Sequence, residues 1–380
     1  MKSLFHLLQI DLSFHDFKFA LLGFLTAFIV TLITMPAVIS LLKKHQVYDM
    51  PGSRKIHSTP IPTLGGITII AGMTIALFFW YSFDNNPEQI CFFFSLIILT
   101  ALGMMDDLRS LAARYKFIIQ LALASLIAVS GLRVTSFEGL FGLQHLPLFV
   151  QYTFTILAIV GITNAFNLID GIDGLAGSLG FMSLITLGIF LGLNHNLNSS
   201  IIAFALAGGI LAFLFFNYNP AKIFMGDTGS LILGFTIAIL CIRLMQSNTN
   251  AAEPVLIHAP IFTLGIVLIP VFDTLRVFVL RIWKGQSPFT ADNTHIHHLL
   301  RKAGFSQAYT TGLICLIHGF ILLEVFRMQG MKQEMTLVLL IVFMTIITLI
   351  FKNLSALYPG KKRRFQILHR FFSGSATDKK

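Results

Sequence analysis

Apolar stretches of roughly 15 to 24 residues, the length a helix needs to cross the hydrocarbon core of a bilayer, recur about eleven times along the 380-residue chain. They fall near residues 19–42, 64–83, 90–104, 117–130, 148–165, 175–193, 201–216, 230–244, 255–272, 309–327 and 335–351. This pattern predicts an all-α polytopic membrane protein whose polar chemistry lies in the connections between spans. Apolar residues are 55% of the chain and charged residues 12%, which excludes an ordinary soluble globule. No connection is large and apolar enough to bury a core of its own. The expected organisation is a short N-terminal segment over 1–18, one transmembrane catalytic domain over 19–351 and a basic tail over 352–380. The N-terminal segment carries acids and lacks a signal peptide's basic start and small-residue cleavage site, so the first span is expected in the mature protein.

Charge orients the chain, because short cytoplasmic loops retain Lys and Arg. With segments assigned alternately, 21 of the 27 basic residues fall on the side holding the first long loop and the C-terminus. The N-terminus is therefore expected outside, in the periplasm, and the C-terminus in the cytoplasm. Asp106, Asp107, Asp170, Asp173, Asp227 and Asp292 then all lie on the cytoplasmic face, although only basic residues entered the assignment. A cytosolic, water-soluble substrate suits that face. Lys361, Lys362, Arg363 and Arg364 in the tail act as a topological anchor or attract anionic lipid. No nucleic-acid partner is expected. Cys91, Cys241 and Cys315 sit singly in apolar runs without metal-ligand spacing.

Ionisable groups at span edges point to function. Asp106 and Asp107 end the third run, and neighbouring helical residues point about 100° apart, so the two carboxylates cannot face one ligand equally. One reading has the first engage a reacting phosphate or its proton while the second holds a metal or a basic neighbour. The run Asn164-Ala-Phe-Asn167-Leu-Ile-Asp170-Gly-Ile-Asp173-Gly-Leu-Ala-Gly177 repeats polar residues every third position and carries glycines that favour a bent loop over a continuous helix. Asp170 and Asp173 can meet on one side, where a metal, an Arg or a Lys must balance them. Asp227, in Phe-Met-Gly-Asp-Thr-Gly-Ser, reads either as the cap of the next span or as a Mg²⁺ ligand. His295, His297 and His298 follow Asp292 on what reads as a loop; as imidazolium they would bind phosphate and as neutral rings exchange protons. Zinc is the lesser reading, since no cysteine accompanies them. The first cytoplasmic loop, 49–66, offers Arg54 and Lys55 to a phosphate.

Together the Asp106-Asp107 pair, the 164–177 run, the 224–230 segment and His295-Ile-His297-His298 resemble, in order and spacing from about Asp49 to Phe305, the polyprenyl-phosphate N-acetylhexosamine-1-phosphate transferase family. Ser287-Pro288-Phe289 and the histidine pattern look most like its undecaprenyl-phosphate α-N-acetylglucosaminyl branch. The resemblance implies transfer of N-acetylglucosamine 1-phosphate from UDP-N-acetylglucosamine to undecaprenyl phosphate, releasing UMP and initiating a cell-surface glycan, with Mg²⁺ or Mn²⁺ as cofactor. It implies a bacterial inner-membrane location, a lipid groove open to the bilayer and a cytoplasmic active site. A homodimer is suggested by the resemblance alone. Carried over, it makes Asp227 and Asp107 metal ligands and gives Asp106 to the lipid phosphate. Asn164, Asn167, Asp170 and Asp173 fall in the nucleotide and reaction shell, and Asp292, His295, His297 and His298 contact sugar or phosphate. Asn293 departs from the Arg common in relatives, which passes the pyrophosphate contact to Arg54, Lys55 or Arg301. Direct attack by the lipid phosphate is favoured over a covalent phosphosugar intermediate. The rival readings are another UDP-N-acetylhexosamine donor and, from another class, an ion-coupled transporter.

Overall fold

The computed structural model describes residues 14–49, 60–287 and 294–357. Its helices are α1 (Phe14–Lys44), α2 (Gly66–Trp80), α3 (Pro87–Arg109), α4 (Ala113–Ser130), α5 (Leu148–Ile169), α6 (Leu175–Leu193), α7 (Leu197–Asn217), α8 (Gly226–Asn250), α9 (Ala259–Trp283), α10 (Ile296–Lys302), α11 (Gln307–Arg327) and α12 (Gln333–Leu357). Among the described residues ten helices are long and apolar enough to cross a membrane, and α2 is a shorter apolar helix of 15 residues. The eleven predicted spans thus all appear as helices, with α2 the one short of full membrane length.

Helix α8 is the axis of the bundle, with 94% of its apolar window buried inside the protein. It packs against α2, α3, α5, α6, α7 and α9. In lipid there is little hydrophobic force between helices, so close packing depends on small residues that let backbones approach. A Cβ built on Gly66 would lie 2.3 Å from Gly229 N, one on Gly103 2.4 Å from Thr228 Cα, and one on Gly234 2.8 Å from Thr163 Cα. These three contacts bring α2, α3 and α5 onto α8 at backbone distance. The outward faces carry exposed apolar side chains such as Phe78, Phe149 and Leu316, as lipid contact requires.

Polar ties are concentrated at the two ends of the bundle. At one end Glu138 accepts hydrogen bonds from Asn248 Nδ2 (3.1 Å), Thr249 Oγ1 (3.1 Å) and Ala259 N (2.8 Å), joining the end of α8 to the start of α9. Arg243 and Glu88 pair between α8 and α3. Midway along α9, Pro270 cannot donate to the carbonyl of Ile266, and Ser183 Oγ from α6 supplies that bond at 3.0 Å. At the other end, strands β1 (Tyr48–Asp49) and β2 (Ile61–Pro62) form a short antiparallel pair. The chain after β2 runs beside residues 224 and 225, with Phe224 N donating to Pro62 O, Gly65 N to Phe224 O and Gly66 N to Met225 O. The base of the first loop is thereby fixed to the entrance of α8.

Gly103→Ala is expected to destabilise the bundle by at least about 2 kcal/mol, because Thr228 backbone cannot give way. Gly161→Ala on α5, whose Cβ would meet nothing within 4 Å, is the control. Thermal unfolding in detergent should separate the two, with a lowered midpoint for the first alone.

Candidate active site

The last turn of α3 sends its two carboxylates in different directions. Asp107 reaches the start of α8, where its Oδ1 accepts from Asp227 N (2.8 Å) and its Oδ2 from Thr228 N (3.1 Å) and Thr228 Oγ1 (2.6 Å). No side chain of α8's own leading segment caps the helix, so Asp107 satisfies these first-turn donors from another helix. The approach requires glycine at 226, where φ is +70° and a Cβ would lie 2.5 Å from Asp107 Oδ2. Asp106 turns to α4: its Oδ1 accepts from Leu111 N (2.6 Å) and its Oδ2 pairs with Lys116 Nζ (2.9 Å).

Lys116 also pairs with Asp227 Oδ2 at 2.7 Å, so one ammonium bridges the carboxylates of α3 and α8. Asn167 Nδ2 donates to Asp227 Oδ1 (3.0 Å) and to Ser230 Oγ (2.9 Å). Asp227 is therefore not the cap of its own helix, one of the two readings of the sequence. Its carboxylate is turned to the polar cavity and to the Lys116 ammonium.

Helix α5 stops at Ile169 and α6 begins at Leu175, with Gly174 at φ +74° closing the turn, so the run of 164–177 is bent as expected. Asp173 is gripped on all sides. Its Oδ2 accepts from Asn219 Nδ2 (2.8 Å) and Ala221 N (3.1 Å), its N–H donates to Gln307 Oε1 (3.1 Å), and its carbonyl accepts from Thr311 Oγ1 (2.9 Å). The Asp170 carboxylate has no hydrogen-bond partner in the structure among the described residues. Burial, and then the charges of Asp227, Asp107 and Asp173, push its carboxyl up to about 7.

These groups enclose a cavity of about 360 Å³ lined by Asp107, Asn167, Asp170, Asp173, Asp227 and His298, among others. Asn164 lies one turn deeper and donates to Gln120 Oε1 (2.6 Å) and Val160 O (2.8 Å), away from the cavity lining. Arg301 donates to Phe305 O at 2.5 Å. Arg54, Lys55 and Asp292 lie outside the described residues.

The histidines are not all on a loop, as the sequence reading had them. His295 precedes α10, and His297 and His298 belong to its first turn. His297 is 1% exposed, packs beneath Gly171, where a Cβ would lie 2.5 Å from its Nε2, and neither ring nitrogen has a hydrogen-bond partner among the described residues. Burial, with His298 beside it, pushes its imidazole down to about 3, so His297 is neutral and cannot hold phosphate as a cation.

The donor set fits a small, hard divalent cation. Asp170 offers a carboxylate that no described group binds, Asp227 and Asp107 flank the same space, and Mg²⁺ takes one or two carboxylates while water and phosphate complete its shell. Among the described residues no three acidic, His or Cys side chains already converge on one point, so the closed cage of a structural metal is not built.

Three contributors escaped the sequence reading. In the sequence Lys116 is one basic residue among 27, and its partner Asp227 is 111 residues away. Gln307 and Asp49 also line the cavity, brought there by α11 and the β1–β2 pair. No local signal marks either one.

The Asp170 carboxyl gives a pH test. A folded-state pKa raised above the unfolded value favours the protonated fold, so its contribution is favourable at acid pH and is lost as pH rises through about 7. Asp170→Asn removes this loss. In EDTA its thermal midpoint should exceed wild type clearly at pH 8 and little at pH 5; an equal difference at both would show that Asp170 is not raised.

A family model described as Glycosyl transferase family 4 matches residues 89–245. The "Probable undecaprenyl-phosphate N-acetylglucosaminyl 1-phosphate transferase" of Bacillus subtilis is 33% identical over 352 residues, covering 91% of this chain and 95% of that protein. The "Undecaprenyl-phosphate alpha-N-acetylglucosaminyl 1-phosphate transferase" of Salmonella typhi is 32% identical, covering 70% of this chain and 72% of its own length. The Escherichia coli protein of the same name is 31% identical, with 72% and 74% covered. With nearly the whole of a relative aligned and the polar motifs gathered at one end of the bundle, the chain belongs to the polyprenyl-phosphate N-acetylhexosamine-1-phosphate transferase family.

Proposed function

We propose that this membrane enzyme transfers N-acetylglucosamine 1-phosphate from UDP-N-acetylglucosamine to undecaprenyl phosphate, giving undecaprenyl-pyrophosphoryl-N-acetylglucosamine and UMP. The observation that carries this reading is the convergence of Asp107, Asp170, Asp173, Asp227 and His298 around one cavity at one end of an apolar bundle. A phosphate held in the lipid and a nucleotide from water can meet there. The names of the relatives support the donor sugar and the acceptor. The distribution of basic residues supports a cytoplasmic site with the N-terminus outside, and the bacterial sources of the relatives support an inner-membrane location. The product suits the first step of a surface glycan.

In the reaction an oxygen of the lipid phosphate attacks the sugar-bearing phosphorus of the donor. A new P–O bond forms as the bond to the bridging oxygen breaks, and the electron pair leaves on UMP. Such transfers depend mainly on positioning and charge neutralisation. A bound Mg²⁺ or Mn²⁺, with Asp227, Asp107 and Asp170 as its ligands, would supply that neutralisation to the pyrophosphate. The protein's own residues do the rest. Lys116 is the ammonium that already spans Asp106 and Asp227, and it places positive charge beside the cavity. Asn167 orients the Asp227 carboxylate, and Gln307, Asn219 and Thr311 fix Asp173. His298 reaches the cavity from α10, where it would contact sugar or phosphate. Direct attack needs no covalent intermediate on an aspartate.

The test is UMP release by purified protein given undecaprenyl phosphate, a panel of UDP-sugars, and Mg²⁺ or EDTA. Turnover with UDP-N-acetylglucosamine is expected, lost in EDTA. Asp170→Ala, Asp227→Ala and Lys116→Met should each lower kcat by about 100-fold or more. Preference for another UDP-sugar would change the donor and keep the chemistry. UMP from no donor, in protein shown to be folded, would overturn the proposal.

A further inference from the structure

Asp273 is fully buried in the second half of α9, after an apolar run, and lies outside the cavity lining. Three groups converge on its carboxylate. Arg276 Nη2 pairs with Oδ1 at 2.7 Å, His295 Nδ1 meets Oδ2 at 2.9 Å, and Ile296 N lies 3.1 and 3.2 Å from the two oxygens. The same Arg276 nitrogen donates to Thr294 O at 2.5 Å. One buried ion pair thus clamps the backbone of 294–296 and one histidine ring. Stacking then carries the position inward: His295 and His297 are nearly parallel, with ring centroids 5.9 Å apart, and His298, 4.3 Å beyond, faces the cavity.

An ionised carboxylate only accepts hydrogen bonds, so the His295 nitrogen facing it must carry the proton. Nε2 is then the ring's acceptor. We propose that Asp273 is a positioning residue of the transferase: it holds His295 as the Nδ1–H tautomer and, through that ring and the 294–296 backbone, sets the start of α10, whose His298 faces the cavity, while Arg276 balances its charge. This rests on the transferase reading for its kinetic consequence, but the tautomer itself does not depend on which reaction is catalysed. A pure helix cap would need only the bond to Ile296 N. The additional grip on the ring and on Thr294 O goes beyond that need.

The test is Asp273→Asn, which keeps the shape and an acceptor for Ile296 N but turns an NH₂ toward His295 and forces the ring to its other tautomer. In the full-length protein kcat should fall about 100-fold, with KM for UDP-N-acetylglucosamine and undecaprenyl phosphate within about threefold. In a His295→Ala background the same substitution should cost nothing further. An equal loss in both backgrounds would overturn the proposal. Imidazole ¹⁵N spectra of histidine-labelled protein, with His295 assigned by its loss in His295→Ala, should show Nδ1–H in wild type. Nε2–H in wild type would overturn the proposal even if Asp273→Asn fails to fold. If the wild type releases no UMP, the transferase reading falls, and the spectra still decide the Asp273–His295 arrangement.

Discussion

A carboxylate at the end of an apolar helix bundle must be met by donors or cations, and in this protein most of those partners come from other elements. Asp107 of α3 takes the leading amides of α8. Lys116 of α4 takes Asp106 and Asp227 together. Asp273 of α9 takes the first amide of α10 and the ring of His295. Leaving such a group unpaired would cost several kcal/mol, so each pairing fixes the relative position of two elements as well as satisfying charge. The geometry of the cavity follows from these cross-helix bonds.

The packing makes them possible. Asp107 reaches α8 only because Gly103 lets α3 lie against Thr228 and Gly226 leaves room for the carboxylate itself. Helix α8 is buried along its length and so serves as the reference against which α2, α3 and α5 are set. Asp170 is the exception among the paired acids: its carboxylate is bound by none of the described groups, while three other aspartates raise the cost of its charge. An acid left uncompensated where its neighbours are tightly held is a natural place for a ligand's cation.

Much of this was legible in the sequence. The apolar runs located the spans, and the 100° rule separated Asp106 from Asp107, although the basic neighbour went to Asp106 and not, as expected, to the second carboxylate. The glycines of 164–177 predicted the break between α5 and α6. Helix ends were less legible, because hydropathy stops where charge starts. The run read as 117–130 is a helix from Ala113, since Lys116 has carboxylates to meet it; the run read as 230–244 begins at Gly226, since Asp107 caps it from outside. The span ending near 272 continues to Trp283 because Asp273 and Arg276 neutralise each other within it. The roles of Lys116, Gln307 and Asp273 depend on partners 111, 134 and 22 residues away, and no local pattern records such pairings. The histidines looked alike in sequence, yet burial separates the neutral His297 from His298 at the cavity.

The central claim is that these separately anchored aspartates form one site for a nucleotide pyrophosphate. The most direct measurement is an electron cryomicroscopy structure of the protein with UDP-N-acetylglucosamine and Mg²⁺. The account predicts pyrophosphate density within the cavity, beside Asp170 and Asp227 and in reach of His298. Nucleotide bound elsewhere, with Asp170 still facing an unfilled cavity, would contradict it.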